Sequence, residues 1–394
     1  MSVIPIHPVS QAARVLQPPP LALYIHVPWC VRKCPYCDFN SHEAHGTIPE
    51  ARYVDALIAD LELSLPLVWG RSPVSLFFGG GTPSLLSPEA IDRLLAAIRA
   101  RLPWQPLAEI TLEANPGTVE AGKFAGFRAA GVNRVSLGIQ SFNDDHLRAL
   151  GRVHDAAEAH RAIAIAARHF DTFNLDLMQG LPGQSAAQAA ADLDSALSFA
   201  PPHLSCYQLT LEPNTPFMAQ PPSGLPDADA SADMQEAAET RLLAAGYAHY
   251  ETSAFARPGH ACRHNLNYWQ FGDYLGIGAG AHSKLTLPDQ ILRQMRWKHP
   301  EAYLRQTMAG EPVQEAHAIA PEARPFEFLM NALRLQQGFA PSLFAACTGL
   351  PLDSILPALR SAAADGLLEI SAERIAATPK GWRFLNVLLQ RFLP

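Results

Sequence analysis

The sequence contains no run of about 18 consecutive apolar residues, the length that a membrane-spanning helix needs. It also lacks a basic start followed by an apolar segment, so residues 1–20 predict a flexible leader and no secretory signal. Six cysteines spread over 394 residues are too few for a disulfide framework. These absences together predict a cytoplasmic protein with no membrane span.

An excess of positive charge is also missing. The chain has 30 lysines and arginines against 37 aspartates and glutamates, and its formal net charge is −7. A general nucleic-acid-binding domain would be basic, because most of its affinity comes from contacts with phosphates. We therefore expect no nucleic-acid partner.

Short β-rich runs alternate with Ala- and Leu-rich helical runs over the first half of the chain. The predicted strands are residues 22–27, 75–78, 109–113, 134–139, 172–177 and 204–210. Consecutive βα units imply parallel strands joined by right-handed crossovers. Six such units predict an α/β fold, a partial (β/α)6 barrel of the TIM type over residues 21–255.

The rest of the chain has a different pattern. Residues 256–320 include a stretch rich in Gly, His and aromatic residues, which predicts a connecting region. Several helices and two short strand-like runs predict a small, mostly helical, winged-helix-like domain over residues 321–394. Its last helix is mostly apolar, which favours docking onto the barrel over contact with nucleic acid.

Three of the six cysteines lie within the stretch CVRKCPYC, as Cys30, Cys34 and Cys37. Iron–sulfur clusters are normally held by four thiolates, so a trio leaves one iron open to a substrate or cofactor. The alternatives are cysteines packed in the core, a zinc site completed by His42 or His45, and a thioredoxin-type redox pair. The third cysteine argues against the redox pair.

Polar or glycine-rich residues follow the apolar bodies of the other predicted strands. The carboxyl ends of barrel strands form the functional face of such folds, so these residues predict a ligand site above the cysteines. They are residues 79–82, Glu113, Asn115, Gln140, Asp176, Tyr207 and Gln208.

The stretch LYIHVPWCVRKCPYC resembles the cluster loop of the radical S-adenosylmethionine (SAM) superfamily. The resemblance implies that Cys30, Cys34 and Cys37 hold a 4Fe–4S cluster, and that SAM chelates the fourth iron and is reduced to a 5′-deoxyadenosyl radical. It also implies cluster-flanking and SAM-binding roles for Tyr24, Tyr36, Gly80, Gly81, Thr82, Glu113, Gln140, Arg152 and Asp176. Two of these have simpler interpretations, Glu113 as a satisfied strand-end carboxylate and Arg152 as a helix-surface charge.

Nearly the whole chain, including the tail TPKGWRFLNVLLQRF, resembles the coproporphyrinogen dehydrogenase-like branch of that superfamily. The porphyrin-forming dehydrogenases carry a fourth cysteine two residues past the third, where this chain has Phe39. They also have a longer N-terminal extension than the 29 residues that precede Cys30. Some members of the branch bind a second SAM. The two departures argue against radical decarboxylation.

A second motif, HNLNYW at residues 264–269, resembles the haem-binding motif of the haem chaperones in this branch. The resemblance implies a haem site formed by His264, Asn265, Tyr268 and Trp269. Imidazole is a common axial ligand of haem iron, and aromatic rings can cover a porphyrin face. The alternative is a tight turn capped by the asparagines, with the aromatics in the core. His260 and His282 are rival ligands, and no Cys-x-x-Cys-His motif supports covalent c-type attachment.

These features favour a haem chaperone that binds haem and a 4Fe–4S cluster and hands haem to an acceptor, such as a respiratory haem protein. The cluster could serve structure, redox gating or assembly of a homodimer. Two enzymes remain as alternatives: an oxygen-independent coproporphyrinogen III dehydrogenase, and another radical SAM enzyme such as a methyltransferase. The sequence does not decide whether SAM is cleaved, so whether the protein is an enzyme stays open.

Overall fold

A computed structural model describes residues 16–118 and 121–393 of the chain. Most of the predicted leader, residues 1–15, therefore lies outside the described residues. The sequence pattern also predicts a helix over residues 119–130, and its first two residues lie outside the described part of the chain. The described end of the leader is packed. Leu16 is buried against the C-terminal part of the chain, and its backbone N–H donates to the carbonyl of Pro288 at 3.1 Å.

Strands and helices alternate through the first half of the chain. In order they are β1 (Leu21–Val27), β2 (Trp29–Cys30), β3 (His42–Glu43), α1 (Glu50–Ser64), β4 (Pro73–Gly80), α2 (Pro88–Arg101), β5 (Glu109–Ala114), α3 (Ala121–Ala130), β6 (Arg134–Gln140), α4 (Asp144–Ala149), α5 (Ala156–His169), β7 (Thr172–Gln179), α6 (Ala186–Ser198) and β8 (His203–Gln208). The six predicted strands are all present, as β1 and β4 to β8.

The second half begins with mixed elements and ends in a helical domain. The mixed elements are α7 (Pro216–Ala219), α8 (Ala228–Ala244), β9 (Ala248–Glu251), β10 (Ala254–Ala256), α9 (Arg263–Trp269), β11 (Asp273–Ile277), β12 (His282–Thr286), β13 (Ile291–Arg296), α10 (Pro300–Met308) and β14 (Val313–Ala318). The domain contains α11 (Arg324–Ala332), α12 (Pro341–Thr348), α13 (Leu356–Ala364), β15 (Leu368–Ile370), β16 (Ile375–Ala377), α14 (Pro379–Arg383) and α15 (Leu385–Leu389).

One large sheet organises the molecule, in the order β14-β13-β12-β11-β1-β4-β5-β6-β7-β8-β10-β9. The strands from β11 to β8 in this order are parallel, and the flanking strands on both sides are antiparallel. The sequence did not predict β11, because its DYLGI segment is short and contains Asp and Gly in place of a continuous apolar run. The sheet curves, since side chains from every parallel strand line one central cavity.

Local sequence signals explain where the barrel helices begin. Ser87 caps α2, where its hydroxyl accepts from the backbone N–H of Ala90 at 3.1 Å, and Pro88 occupies the first helical position. Helices α5 and α6 both begin with a capping box. The side chain of the cap residue accepts from the backbone N–H of the third helical residue, whose own side chain accepts from the backbone N–H of the cap residue. The apolar faces of α1, α2, α3, α5 and α6 contribute to one core with the outward side chains of the sheet.

The C-terminal domain has its own core, centred on Phe328 of α11, Phe344 of α12 and Leu388 of α15. Strands β15 and β16 pair antiparallel and form the predicted two-stranded wing. The domain touches the rest of the molecule at several points, among them α14, where the Trp382 ring meets His249 edge-on at 4.9 Å, and α11, where Glu327 pairs with Arg293. The predicted partial barrel with a small, mostly helical C-terminal domain is therefore confirmed. No helix within residues 16–118 or 121–393 is long and apolar enough to cross a membrane.

Candidate cofactor site in the barrel

The cysteine loop leaves the carboxyl end of β1 and is held against the end of β4. The backbone N–H of Gly81 donates to Val27 O, and that of Thr82 donates to Trp29 O, both at 2.7 Å. A Cβ atom at Gly81 would lie only 2.5 Å from Trp29 O, so only glycine permits this close approach. The glycine-rich end of β4 therefore fixes the position of the first cysteine.

Cys30, Cys34 and Cys37 are free, partly exposed thiols that line one pocket of about 340 Å³, the cysteine pocket. A turn in which the Cys37 N–H donates to Cys34 O at 3.1 Å brings two of the sulfurs to the same side. Burial raises the pKa of the Cys30 and Cys37 thiols. Positive charge, whether from iron or from a side chain, would favour their thiolate forms.

Three thiols on one pocket are a suitable donor set for three corners of an iron–sulfur cluster. Across residues 16–118 and 121–393, no three Cys, His, Asp or Glu side chains are grouped so that they could hold a metal ion. A cluster does not require such convergence, because each thiolate binds a different iron. The donor chemistry thus fits a cluster, with Phe39 at the position of a fourth cysteine and 58% exposed.

The cysteine pocket also brings together eight of the nine predicted SAM-binding or cluster-flanking residues. They are Tyr36, Gly80, Gly81, Thr82, Glu113, Gln140, Arg152 and Asp176. The ninth, Tyr24, lies deeper in the barrel, where its hydroxyl shares a hydrogen bond with His26 Nδ1 at 3.0 Å. Tyr36 comes from the cysteine loop, and the other seven come from the carboxyl ends of β4, β5, β6 and β7 and from the loop after α4, as expected for a barrel site.

Arg152 is a buried connector in this pocket and not a charge on a helix surface. Its guanidinium donates to the carbonyl of Gly138 at 2.9 Å and to the side chain of Asn115, and it lies 3.6 Å from Cys34 Sγ. Asn115 in turn donates to Thr82 Oγ1 at 2.9 Å. One chain of polar contacts therefore joins the cysteine loop to three strand ends.

Two carboxyl groups form the acidic side of the pocket. Burial and the nearby charge of Asp176 raise the pKa of Glu113 to about 8, although the Gly80 N–H donates to its Oε2 at 3.2 Å. Burial also raises the pKa of Asp176, which accepts hydrogen bonds from Ser136 at 3.0 Å and Asn174 at 2.8 Å. A cationic ligand would stabilise the ionised forms of both groups.

Gln140 occupies a strained position at the end of β6. Its φ angle is 67°, in the left-handed region that non-glycine residues seldom adopt, and the register of β6 against β7 shifts between Gly138 and Gln140. Such strain is typical of residues that a functional site holds in place. The bend directs Gln140 into the cysteine pocket.

A larger cavity of about 790 Å³, the lumen cavity, extends through the barrel from the cysteine pocket toward the amino ends of the strands. The lumen cavity and the cysteine pocket are continuous, because they share wall residues that include Cys37, Phe39, Glu113 and Asp176. A volume of this size is typical of cofactor sites.

The HNLNYW motif forms α9, which packs across the amino ends of the strands. His264 is buried, shares a hydrogen bond with Ser75 Oγ at 3.1 Å, and stacks on Phe77 with ring centres 4.9 Å apart. The motif therefore lies at the floor of the lumen cavity, at the opposite end of the barrel from the cysteine loop. Neither the motif nor its spacing could indicate this position.

Three of the four predicted haem-binding residues line the lumen cavity: His264, Asn265 and Tyr268. The Trp269 ring instead lies under the Arg334 guanidinium, 4.5 Å from its ring centre. Of the rival ligands, His282 lines the lumen cavity, whereas His260 hydrogen-bonds to Thr172 Oγ1 at 3.0 Å outside it.

Comparisons with known proteins agree with this architecture. A family model described as Radical SAM superfamily matches residues 24–196, and one described as HemN C-terminal domain matches residues 319–384. The heme chaperone HemW of Escherichia coli K12 is 51% identical over 377 residues, which cover 95% of this chain and 98% of that protein. The Haemophilus influenzae heme chaperone HemW is 49% identical over 381 residues, 95% of this chain and 98% of that protein.

A solved structure shares the whole fold. Coproporphyrinogen III oxidase (HemN) from Escherichia coli, described as a radical SAM enzyme, superposes with a TM-score of 0.80 at 26% identity. The match covers 95% of this chain and 90% of that chain. It therefore extends over both the barrel and the C-terminal domain.

The partial barrel and its cysteine loop define the class, a radical SAM protein with a HemN-type C-terminal domain. Within this class the chain belongs to the family of the heme chaperone HemW, because its identity to members of that family spans almost the full length of both chains. The assignment that the sequence motifs indicated is confirmed.

Proposed function

We propose that the protein is a haem chaperone, which binds haem together with a 4Fe–4S cluster and passes haem to an acceptor protein. The observation that carries this proposal is the full-length similarity to proteins named heme chaperone HemW. Phe39 supports it, because the residue replaces the fourth cysteine expected of a porphyrin-forming dehydrogenase. A respiratory acceptor, a homodimer and a cytoplasmic location remain predictions.

Cys30, Cys34 and Cys37 would hold the cluster, which in this superfamily supplies an electron to bound SAM. The Arg152 guanidinium, 3.6 Å from Cys34 Sγ, would stabilise the thiolate and orient that sulfur. The exposed Phe39 side chain lines both cavities and would restrict access of water to the open iron. The remaining residues of the cysteine pocket would then bind SAM.

The acidic side of the cysteine pocket supports SAM binding. Glu113 and Asp176 present carboxyl groups to a ligand that carries an amino group and a sulfonium, both positively charged. Gly80 and Gly81 present their backbone to this pocket and Thr82 adds a hydroxyl, and these three residues would bind the SAM amino group. Gln140 and Tyr36 would contact other parts of the same ligand.

His264 has the chemistry of a haem ligand. Burial and the nearby Arg134 lower its pKa to about 3, so the imidazole is neutral at physiological pH. Within the described residues its buried Nε2 has no hydrogen-bond partner, while Nδ1 pairs with Ser75. The Nε2 atom is enclosed by neighbouring side chains. It could therefore bind haem iron only if α9 moves toward the lumen cavity or the side chains around Nε2 move aside. Trp269 would support α9 through its contact with Arg334.

A second candidate is an oxygen-independent coproporphyrinogen III dehydrogenase, which the fold match to HemN favours. Both functions need a tetrapyrrole near the radical SAM centre, and the lumen cavity meets the cysteine pocket at Glu113 and Asp176. Phe39 argues against this candidate for the reason given above.

One experiment separates the two candidates. The cluster is reconstituted anaerobically, haem is titrated while the Soret band is followed, and loaded protein is mixed with the apo-form of a b-type cytochrome. We expect a saturable Soret change and transfer of haem to the cytochrome. A parallel incubation with SAM, a reductant and coproporphyrinogen III should yield no catalytic formation of protoporphyrinogen. Enzyme-like turnover without haem transfer would overturn the chaperone proposal.

A further inference from the structure

The lumen of this barrel is polar where a packed barrel would be apolar. Inward-facing side chains of TIM-type barrels are usually branched and apolar, and they fill the interior in layers. Here the inward positions of β5 to β8 are mostly polar, whereas the alternating outward positions are buried and apolar. The inward residues that line the cavity include Glu113, Arg134, Ser136, Asn174, Asp176 and Ser205.

Arg134, the first residue of β6, is a buried cation of this lumen, whereas Lys33 and Lys298, which also line it, are exposed. Arg134 is 3% exposed, yet it lines the lumen cavity near the floor formed by α9. Within residues 16–118 and 121–393 its guanidinium donates no hydrogen bond and forms no ion pair, and its buried Nε has no partner. Burial alone would lower the pKa of Arg134, but the nearby Cys262 and Glu109 outweigh burial and raise it. These groups supply charge without a direct hydrogen bond to the guanidinium, and a bound anion would supply that bond.

The nearby carboxylates are engaged elsewhere. Glu109 accepts hydrogen bonds from the backbone N–H groups of Arg263 and His264, both at 3.1 Å, and from Cys262 Sγ at 3.4 Å. Asp176 accepts from Ser136 and Asn174. Neither carboxylate lies within 4.0 Å of Arg134 as an ion pair in the described parts of the chain. The free face of the guanidinium is therefore the one that borders the cavity.

We infer that the lumen floor around Arg134 is a carboxylate-binding site. A planar guanidinium binds a carboxylate through two parallel hydrogen bonds, which match the geometry of that group. Two ligands carry carboxylates that could reach this floor: haem, on its propionate arms, and a second SAM, whose amino-acid end is not held by the cluster iron. The inference rests on the proposed function for these ligands, but Arg134 itself has no assigned role in it.

The test uses metal-free protoporphyrin IX and its dimethyl ester as probes, with binding followed by porphyrin fluorescence. The proteins are the reconstituted wild type, Arg134→Gln, Arg134→Lys and the control Arg161→Gln, which alters an exposed arginine on α5. We expect the wild type and the control to bind the free acid roughly tenfold or more tightly than the ester. The preference should nearly vanish in Arg134→Gln and be partly restored in Arg134→Lys.

A SAM titration of the same proteins distinguishes the two sources of carboxylate. If only SAM affinity falls in Arg134→Gln, by roughly tenfold or more, the site binds the carboxylate of a second SAM. If Arg134→Gln changes neither the acid preference nor SAM affinity, the inference is wrong. The ester comparison within the wild type does not depend on whether a variant folds.

Failure of the proposed function gives a different result. Metal-free porphyrin needs no iron ligand, so its binding reports on the lumen and on Arg134 alone. A wild type that shows no Soret change with haem contradicts the chaperone proposal. The wild type could instead bind haem but show equal affinity for the free acid and the dimethyl ester, while Arg134→Gln keeps the SAM affinity of the wild type. That result contradicts only the carboxylate site.

Discussion

The Arg152 guanidinium lies 3.6 Å from the sulfur of Cys34, and the same side chain donates to the carbonyl of Gly138. This contact is the direct link between the cysteine loop and the carboxyl end of β6. A positive charge beside one thiolate stabilises the more negative, reduced form of a cluster, because the extra electron lies in its field.

We expect Arg152→Met to lower the reduction potential of the reconstituted cluster while leaving its iron content close to that of the wild type. Loss of the charge and of the hydrogen bond to sulfur both act in this direction. Potentiometric titration followed by electron paramagnetic resonance measures the shift. Arg148→Met, which alters an exposed arginine paired with Asp145, should leave the potential unchanged. An equal potential in Arg152→Met and the wild type would refute this role.

The three loop cysteines should be individually necessary for the cluster. Alanine at Cys30, Cys34 or Cys37 removes one of three thiolates, so we expect loss of the broad visible absorbance and of most bound iron after reconstitution. Cys347→Ala is the matched control, because this cysteine is buried in the C-terminal domain, far from the loop in the fold. Iron content that is retained in a loop variant would exclude that cysteine as a ligand.

Much of the barrel could be predicted because its signals are local. The apolar bodies of β1 and β4 to β8, the glycines that end β4 and the cap at Ser87 each depend on a few adjacent residues. The cysteine pocket was predictable for a related reason, since carboxyl ends of parallel strands meet at one face whatever their side chains. Eight of the nine predicted residues accordingly line it.

The lumen floor could not be predicted in this way. His264 and Arg134 come close only because α9 crosses the amino ends of the strands, where it contacts β4 and bonds to Glu109 of β5. This tertiary contact has no local signal. Arg134 looks like an ordinary charged residue at the start of a strand. Its significance lies in the partners it lacks among the described residues, which only side-chain positions reveal.

Glu113 should make stability depend on pH. Its pKa is raised to about 8 in the folded state, mainly by burial, against an ordinary value of 4.5. The folded protein therefore holds this proton more tightly than the unfolded chain does. The resulting stability is complete below about pH 4.5 and is lost as pH rises through about 8.

We therefore expect the free energy of unfolding of the cofactor-free protein to fall more steeply from pH 5 to 8 in the wild type than in Glu113→Gln. The amide stays neutral throughout, so the variant lacks this contribution. Urea unfolding at several pH values measures the difference. Glu89→Gln, at an exposed site in the first turn of α2, should follow the wild type. If the free energy of unfolding depends on pH in the same way in the wild type and in Glu113→Gln, Glu113 ionises normally in the folded protein.

A large stability effect should come from Asp273, the first residue of β11. Its buried carboxylate accepts from Lys284 Nζ at 2.9 Å and from Arg71 Nη1 at 2.7 Å. Lys284 is itself 2% exposed and lies 4.1 Å from the centre of the Phe271 ring, between the sheet and the C-terminal core. Removal of one partner from a buried ion pair leaves an uncompensated charge.

We expect Asp273→Asn to lower the free energy of unfolding by about 3–5 kcal/mol, because the buried Lys284 ammonium loses its counter-charge. Glu369→Gln is the control, since its pair with Arg374 is solvent-exposed on both sides and should cost at most about 1 kcal/mol. Urea unfolding followed by circular dichroism compares the two. A loss in Asp273→Asn as small as that in the control would mean that water or a rearranged partner neutralises Lys284. The Asp273 carboxylate would then not be what neutralises Lys284 of β12.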